Sequence, residues 1–141
     1  MDKKTWRTIS KANEPILDWL DSMDGDKFNL IDLGCGQGVL SDRAMDRGFT
    51  VTPVDYSDVP YRYAIRRDVK EMIGTYDYII AAGYPPSCIG EGIKGTYYMY
   101  TATREDFKDL YPGKEYFYRG VYIKTNIEPL DKWLVDNKEL I

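Results

Sequence analysis

The residues best placed to do chemistry are a cluster of glycines and a few acids, because the chain contains no histidine. Ser-His-Asp and Cys-His nucleophile systems are thereby excluded, as is every histidine metal site. Acid–base work falls to carboxylates, Lys, Tyr, Cys or backbone groups. Cys35 and Cys88 are too few for a disulfide scaffold or a zinc cluster. The informative run is Asp32-Leu33-Gly34-Cys35-Gly36-Gln37-Gly38. Glycines there permit a tight turn and let a ligand lie against the backbone. A helix starting just beyond would turn free N–H groups towards that ligand. Asp55 stands 17 residues after Gly38, and Asp68 another 13 further on. A carboxylate at the first of these places suits the hydroxyls of a ribose. A second run, Gly83-Tyr84-Pro85-Pro86-Ser87, holds its backbone stiffly through adjacent prolines.

For these residues to converge, strands and helices must carry them. Asn13-Glu14-Pro15 reads as a helix start, with Asn13 as N-cap and Pro15 in the first turn. Ile16, Leu17, Leu20 and Met23 then share one face. Residues 28–33 form a short apolar run that meets the glycines, which reads as a buried strand. Val39, Leu40 and Ala44 mark a helix over 39–47, stopped by Gly48. A second strand is expected over 49–54, closing at Asp55, and a third, more polar one within 61–67. A short helix or turn follows over 69–73. Strands are predicted over 76–82 and 96–103, a helix over 104–111, and a strand-like stretch over 116–125 with a break at Gly120. A helix over 129–140 closes the pattern. Strands alternating with helices argue for an α/β fold with a mostly parallel sheet flanked by helices. The late, closely spaced strands add an antiparallel C-terminal edge.

Composition sets the frame. The 141 residues are 43% apolar and 30% charged, which predicts a single globular domain over 1–141. No run of ~18 apolar residues is present, so no membrane span is expected. The opening residues lead into no apolar signal region, which makes a cytoplasmic protein the expectation. Basic residues number 19 against 23 acidic, a net charge of −4. That balance disfavours nucleic acid as a partner, although an acidic chain can carry a local basic patch.

The GxGxG spacing between strand and helix resembles motif I of class I S-adenosylmethionine (SAM) methyltransferases, and Cys35 and Gln37 match a common form of it. The resemblance covers about residues 13–87. It implies a Rossmann-like methyltransferase fold with SAM as cofactor and no metal. It assigns Asp32 to the methionine end of SAM, and Gly34, Cys35, Gly36 and Gly38 to the cradle. It assigns Asp55 to the ribose and Tyr56 to stacking on adenine. Asp68 falls to the adenine amino group, with Val69 lending a backbone N–H. Ala82 joins the cofactor contacts at the strand end. The family places its chemistry where Tyr84, Pro85 and Pro86 stand, and Tyr84 is the preferred substrate contact. Methyl transfer there is direct displacement at a sulfonium, served by positioning and desolvation.

The motif departs from named subclasses. Exocyclic-amine DNA methyltransferases carry a polar residue, two prolines and an aromatic in that order; here Tyr84 and Ser87 exchange the polar and aromatic places. Cytosine C5 enzymes place a cysteine directly after a proline, and Ser87 intervenes before Cys88. The ribose 2′-O set needs an acid where the chain reads Ala82-Gly83, so Lys11 and Lys124 do not complete it. The residues also have plainer readings: Asp32 as a turn cap, Tyr56 and Asp68 as solvated surface, Cys35 as loop filler, and the tyrosines between 97 and 122 as strand packing. The alternative function is a non-catalytic SAM-binding module, completed by a homo-oligomer or a partner subunit. An NAD-type oxidoreductase lacks its GxGxxG and Tyr-x-x-x-Lys signatures here.

Overall fold

A computed structural model describes residues 13–82, 92–102, 114–118 and 121–137. Helix α1 (Glu14–Ser22) begins with a proline in its first turn, as expected. Asn13 precedes it, but its side chain makes no capping bond; its carbonyl instead accepts the N–H of Leu17 at 3.0 Å. Strand β1 (Asn29–Leu33) runs into the glycines and helix α2 (Val39–Asp46) leaves them. Gly48 ends that helix with φ 95°. Strand β2 (Thr50–Val54), a 3-10 turn (Val69–Glu71) and strand β3 (Gly74–Ala82) follow. Strand β4 (Ile93–Ala102), the pair β5 (Lys114–Tyr118) and β6 (Val121–Thr125), and helix α3 (Glu128–Asn137) complete the described elements. The helix expected over 104–111 lies outside the described residues.

The six strands form one sheet in the order β2-β1-β3-β4-β6-β5. β1, β2, β3 and β4 are parallel, while β6 is antiparallel to both β4 and β5. The mostly parallel sheet with an antiparallel C-terminal edge therefore stands as expected. The third strand does not. Residues 61–67 contribute one parallel bridge, Ile65 to Val54. In that bridge Ile65 donates to the carbonyl of Pro53 at 2.8 Å, and Asp55 donates to that of Ile65 at 3.0 Å. The next rung would need an N–H from residue 53, and proline has none. Pro53 thus stops the ladder on one side; on the other, the Arg67 N–H goes to the Ile65 carbonyl and the Ser57 N–H to the Asp55 side chain, so β2 becomes the sheet edge.

Side chains alternate cleanly across the sheet. On one face α1, α2 and α3 bury Ile16, Trp19, Leu20, Leu40, Ala44, Leu130 and Leu134 against Leu30, Tyr78, Ile80 and Met99. Tyr78 centres an aromatic group on that face: its ring lies 5.2 Å from Trp19, 5.5 Å from Phe49 and 4.9 Å from Tyr97. The opposite face gathers Ile31, Leu33, Val54, Ile79, Ala81 and Tyr100 with Val69 of the 3-10 turn. Of the expected packing tyrosines, Tyr100 and Tyr116 are buried, while Tyr97 is 38% exposed. No described helix is long and apolar enough to cross a membrane.

Candidate functional site

Parallel strands end on one side, so β1, β2 and β3 deliver Leu33, Val54 and Ala82 to a common edge. The chain passes from β1 outward to β2 and returns across to β3. Such a reversal leaves a crevice at the strand ends where ligands of open α/β sheets sit. The glycine loop lies in it. Gly34 and Cys35 both donate to the Val54 carbonyl, at 2.7 and 3.0 Å, which folds the loop back over β2. Gly36 and Gly38 have φ 55° and 84°, a left-handed conformation that side-chain-bearing residues resist. Gly38 is also the residue before α2, so the turn and the helix start coincide.

Two carboxylates are buried beneath this loop. Asp55 is 6% exposed and accepts the Gly36 N–H on one oxygen and the Ser57 N–H on the other, each at 3.0 Å. An ionised carboxylate offers about four lone-pair directions, so about two remain for hydroxyl donors. Asp32 is 1% exposed and accepts the Ser41 hydroxyl at 2.7 Å. Burial pushes its carboxyl up to about 6; the Ser41 bond opposes the rise and the Asp55 charge adds to it. Cys35 is pushed up to about 12, chiefly by burial and then by the charges of Asp32 and Asp55. A neutral thiol is no nucleophile, in keeping with a filler role.

The remaining expected contacts are less concentrated. Tyr56 is 72% exposed beside Asp55. Asp68 accepts the Lys70 N–H at 3.0 Å and caps the 3-10 turn, while Val69 is buried in the second-face core. Ala82 is half-buried at the end of β3. Tyr84, Pro85, Pro86, Ser87 and Cys88 lie outside the described residues. Among the described residues no cluster of His, Cys, Asp or Glu could hold a metal ion.

Two further residues belong to the site. Ser41 takes an inward place on α2 with Leu40 and Ala44, whereas Val39, expected on that face, is 55% exposed. The sequence signal for Ser41 is a hydroxyl beside two inward apolar positions, soon after a strand-end acid. Tyr61 has no comparable signal. Its ring fills the space over Gly38, where an added Cβ would stand 2.3 Å from it. Its hydroxyl donates to Asp42 of α2 at 2.8 Å, and burial followed by that bond pushes its pKa upward.

No protein-family model matches the chain. Over 65 residues it is 35% identical to the ribosomal protein L11 methyltransferase of Shewanella denitrificans, a match covering 43% of this chain and 22% of that protein. The chain thus spans less than a quarter of that relative. Among solved structures, it is similar to magnesium protoporphyrin IX methyltransferase of Synechocystis with bound SAM. That likeness has a TM-score of 0.60 and 12% identity over 89% of this chain and 84% of that one. It is also similar to the 1,6-didemethyltoxoflavin N1-methyltransferase of Burkholderia thailandensis, with bound 1,6-didemethyltoxoflavin and S-adenosylhomocysteine. Here the TM-score is 0.54 and the identity 19%, over 89% of this chain and 66% of that one. The fold is the Rossmann-like fold of class I SAM-dependent methyltransferases.

Proposed function

We propose that the chain binds SAM at the glycine loop and transfers its methyl group to an acceptor that approaches past the end of β3. The observation that carries the reading is Asp55, buried at the end of β2 and bonded to the Gly36 N–H, with lone pairs left over for a ribose. SAM-bound and S-adenosylhomocysteine-bound neighbours of the same fold support it. The donor set fits the group. Asp55 would hold the two ribose hydroxyls. Asp32, oriented by Ser41, would face the ammonium of the methionine end. Tyr56, Asp68 and Val69 would line the adenine side. SAM supplies an electrophilic methyl on a sulfonium; the chain supplies placement and removal of water. Tyr84, Pro85 and Pro86 remain the proposed substrate contacts. The protein is read as one cytoplasmic domain over 1–141.

A second reading, a SAM-binding module without catalysis, draws on the reduced third strand beside the site. Such a module would work with a homo-oligomeric copy or a partner subunit. Isothermal titration with SAM and S-adenosylhomocysteine tests binding; no heat at millimolar ligand sinks both readings. Methyl-labelled SAM supplied to protein and nucleic acid fractions then separates them. Label in one fraction supports the enzyme, and binding without any labelled acceptor supports the module.

A further inference from the structure

The loop between β2 and the 3-10 turn inverts the charge of the chain. Residues 61–70 carry Arg62, Arg66, Arg67 and Lys70 against Asp68 alone, within a net charge of −4. All four basic residues are exposed. Arg62 and Arg66 line a cleft of about 410 Å³ with Asp58, Pro60, Tyr61 and Ala64. The cleft has a fixed wall, because Tyr61 is held between Gly38 and Asp42. Beside it, Tyr63 is 49% exposed, with its ring centre 5.5 Å from that of Tyr61 and the Arg62 guanidinium 4.5 Å from it. Arg66 pairs with Asp58 at 2.7 Å, a contact between side chains that are 62% and 85% exposed. Such a surface pair is weakly held and readily exchanged for a stronger anion.

We propose that this loop is a binding surface for single-stranded nucleic acid. The guanidinium groups would meet successive phosphates, and Tyr63 would offer a face on which an unpaired base stacks. A free phosphate or nucleotide is best held by an enclosed nest of N–H donors. Here the cationic groups stand in solvent along ten residues of chain, which suits a string of phosphates laid across them. A duplex would leave the Tyr63 face unused, since its bases are already stacked. The overall acidity of the chain lowers non-specific affinity and confines binding to this patch. The surface goes beyond the SAM reading and does not rest on it.

Fluorescence anisotropy of labelled oligothymidylate and oligouridylate tests the proposal on the whole chain, with a SAM titration run separately on the same preparation. Binding is expected at low salt, weakening about 20- to 50-fold when salt is raised four-fold, as for three or four phosphate contacts. Arg62→Ala with Arg66→Ala and Arg67→Ala should weaken it at least ten-fold at unchanged melting temperature, since all three side chains are exposed. Tyr63→Ala should weaken it about five-fold or more. Asp58→Asn should tighten it a few-fold by freeing Arg66, an effect opposite to that of a merely structural loss. No anisotropy change at about 0.1 mM protein in low salt would overturn the proposal. So would binding that survives the triple substitution. Equal binding of heparin or phosphatidylserine vesicles, with Tyr63→Ala silent, would show a general polyanion surface and overturn it as well.

Discussion

Two loops meet beyond the carboxyl ends of β1 and β2 and solve opposite problems. The glycine loop ties its backbone inward: the N–H groups of Gly34 and Cys35 go to Val54, that of Gly36 goes to Asp55, and Asp32 beneath it is held by Ser41. The loop that follows β2 turns its arginines and Tyr63 to solvent and anchors itself through Tyr61 and one backbone bridge. A buried carboxylate stays costly unless hydrogen bonds compensate it, so the first loop tolerates little change. The exposed loop carries few such obligations and is free to vary in charge. The two are joined where Tyr61 packs on Gly38, so a side chain at one is felt at the other.

That joint is where the contrast is easiest to break. Gly38→Val meets the Tyr61 ring and a φ of 84°, so it should cost about 2–5 kcal/mol in chemical denaturation. In a Tyr61→Ala background the steric part disappears and the penalty should fall by roughly half. Equal penalties in both backgrounds would mean that the two loops are not coupled through this contact.

The next largest effect concerns Asp32. Its carboxyl titrates near 6 in the folded chain against an ordinary value of 3.8. The folded state therefore keeps a proton that the unfolded chain has released. The stabilisation is complete below 3.8 and is lost as pH rises through about 6, on the order of 3 kcal/mol in all. Asp32→Asn should flatten that part of the stability curve while leaving an acceptor for Ser41. Urea melts between pH 4 and 7 decide it, and parallel curves for the two proteins would refute the burial argument. SAM affinity should rise with pH through the same window in the native chain and not in the variant, because an ionised Asp32 attracts an ammonium.

Asp55→Ala removes the acceptor for Gly36 and Ser57 together with the proposed ribose contacts. A charge-assisted pair of this kind is worth about 1.5–3 kcal/mol, so SAM should bind about ten- to a hundred-fold more weakly. Titration that gives an unchanged affinity would move the ribose elsewhere. Asp68→Ala is the mildest test. It loses one cap on a short 3-10 turn and one proposed adenine contact, and should cost under about 1 kcal/mol of either stability or binding. An effect as large as that of Asp55→Ala would mean that the exposed loop is as tightly committed as the glycine loop.

Much of the frame was written locally. The apolar run before Gly34, the glycine spacing and the Gly48 stop fix β1, the turn and α2, since backbone sterics and periodicity act over a few residues. The position of Asp55 follows from the length of β2. What lay beyond such reading came from contacts between distant residues. The polar stretch over 61–67 has strand-like residues, yet its ladder stops at one rung: on one side Pro53 lacks the required N–H, and on the other the Arg67 and Ser57 N–H groups are taken by Ile65 and the Asp55 side chain. Whether Ser41 faces solvent or Asp32 depends on how α2 is rotated against β1. The place of Tyr61 over Gly38 depends on how the chain returns from the sheet edge. Asp32 as a residue type was visible in the sequence; its raised pKa was not, because burial is a property of everything packed around the group.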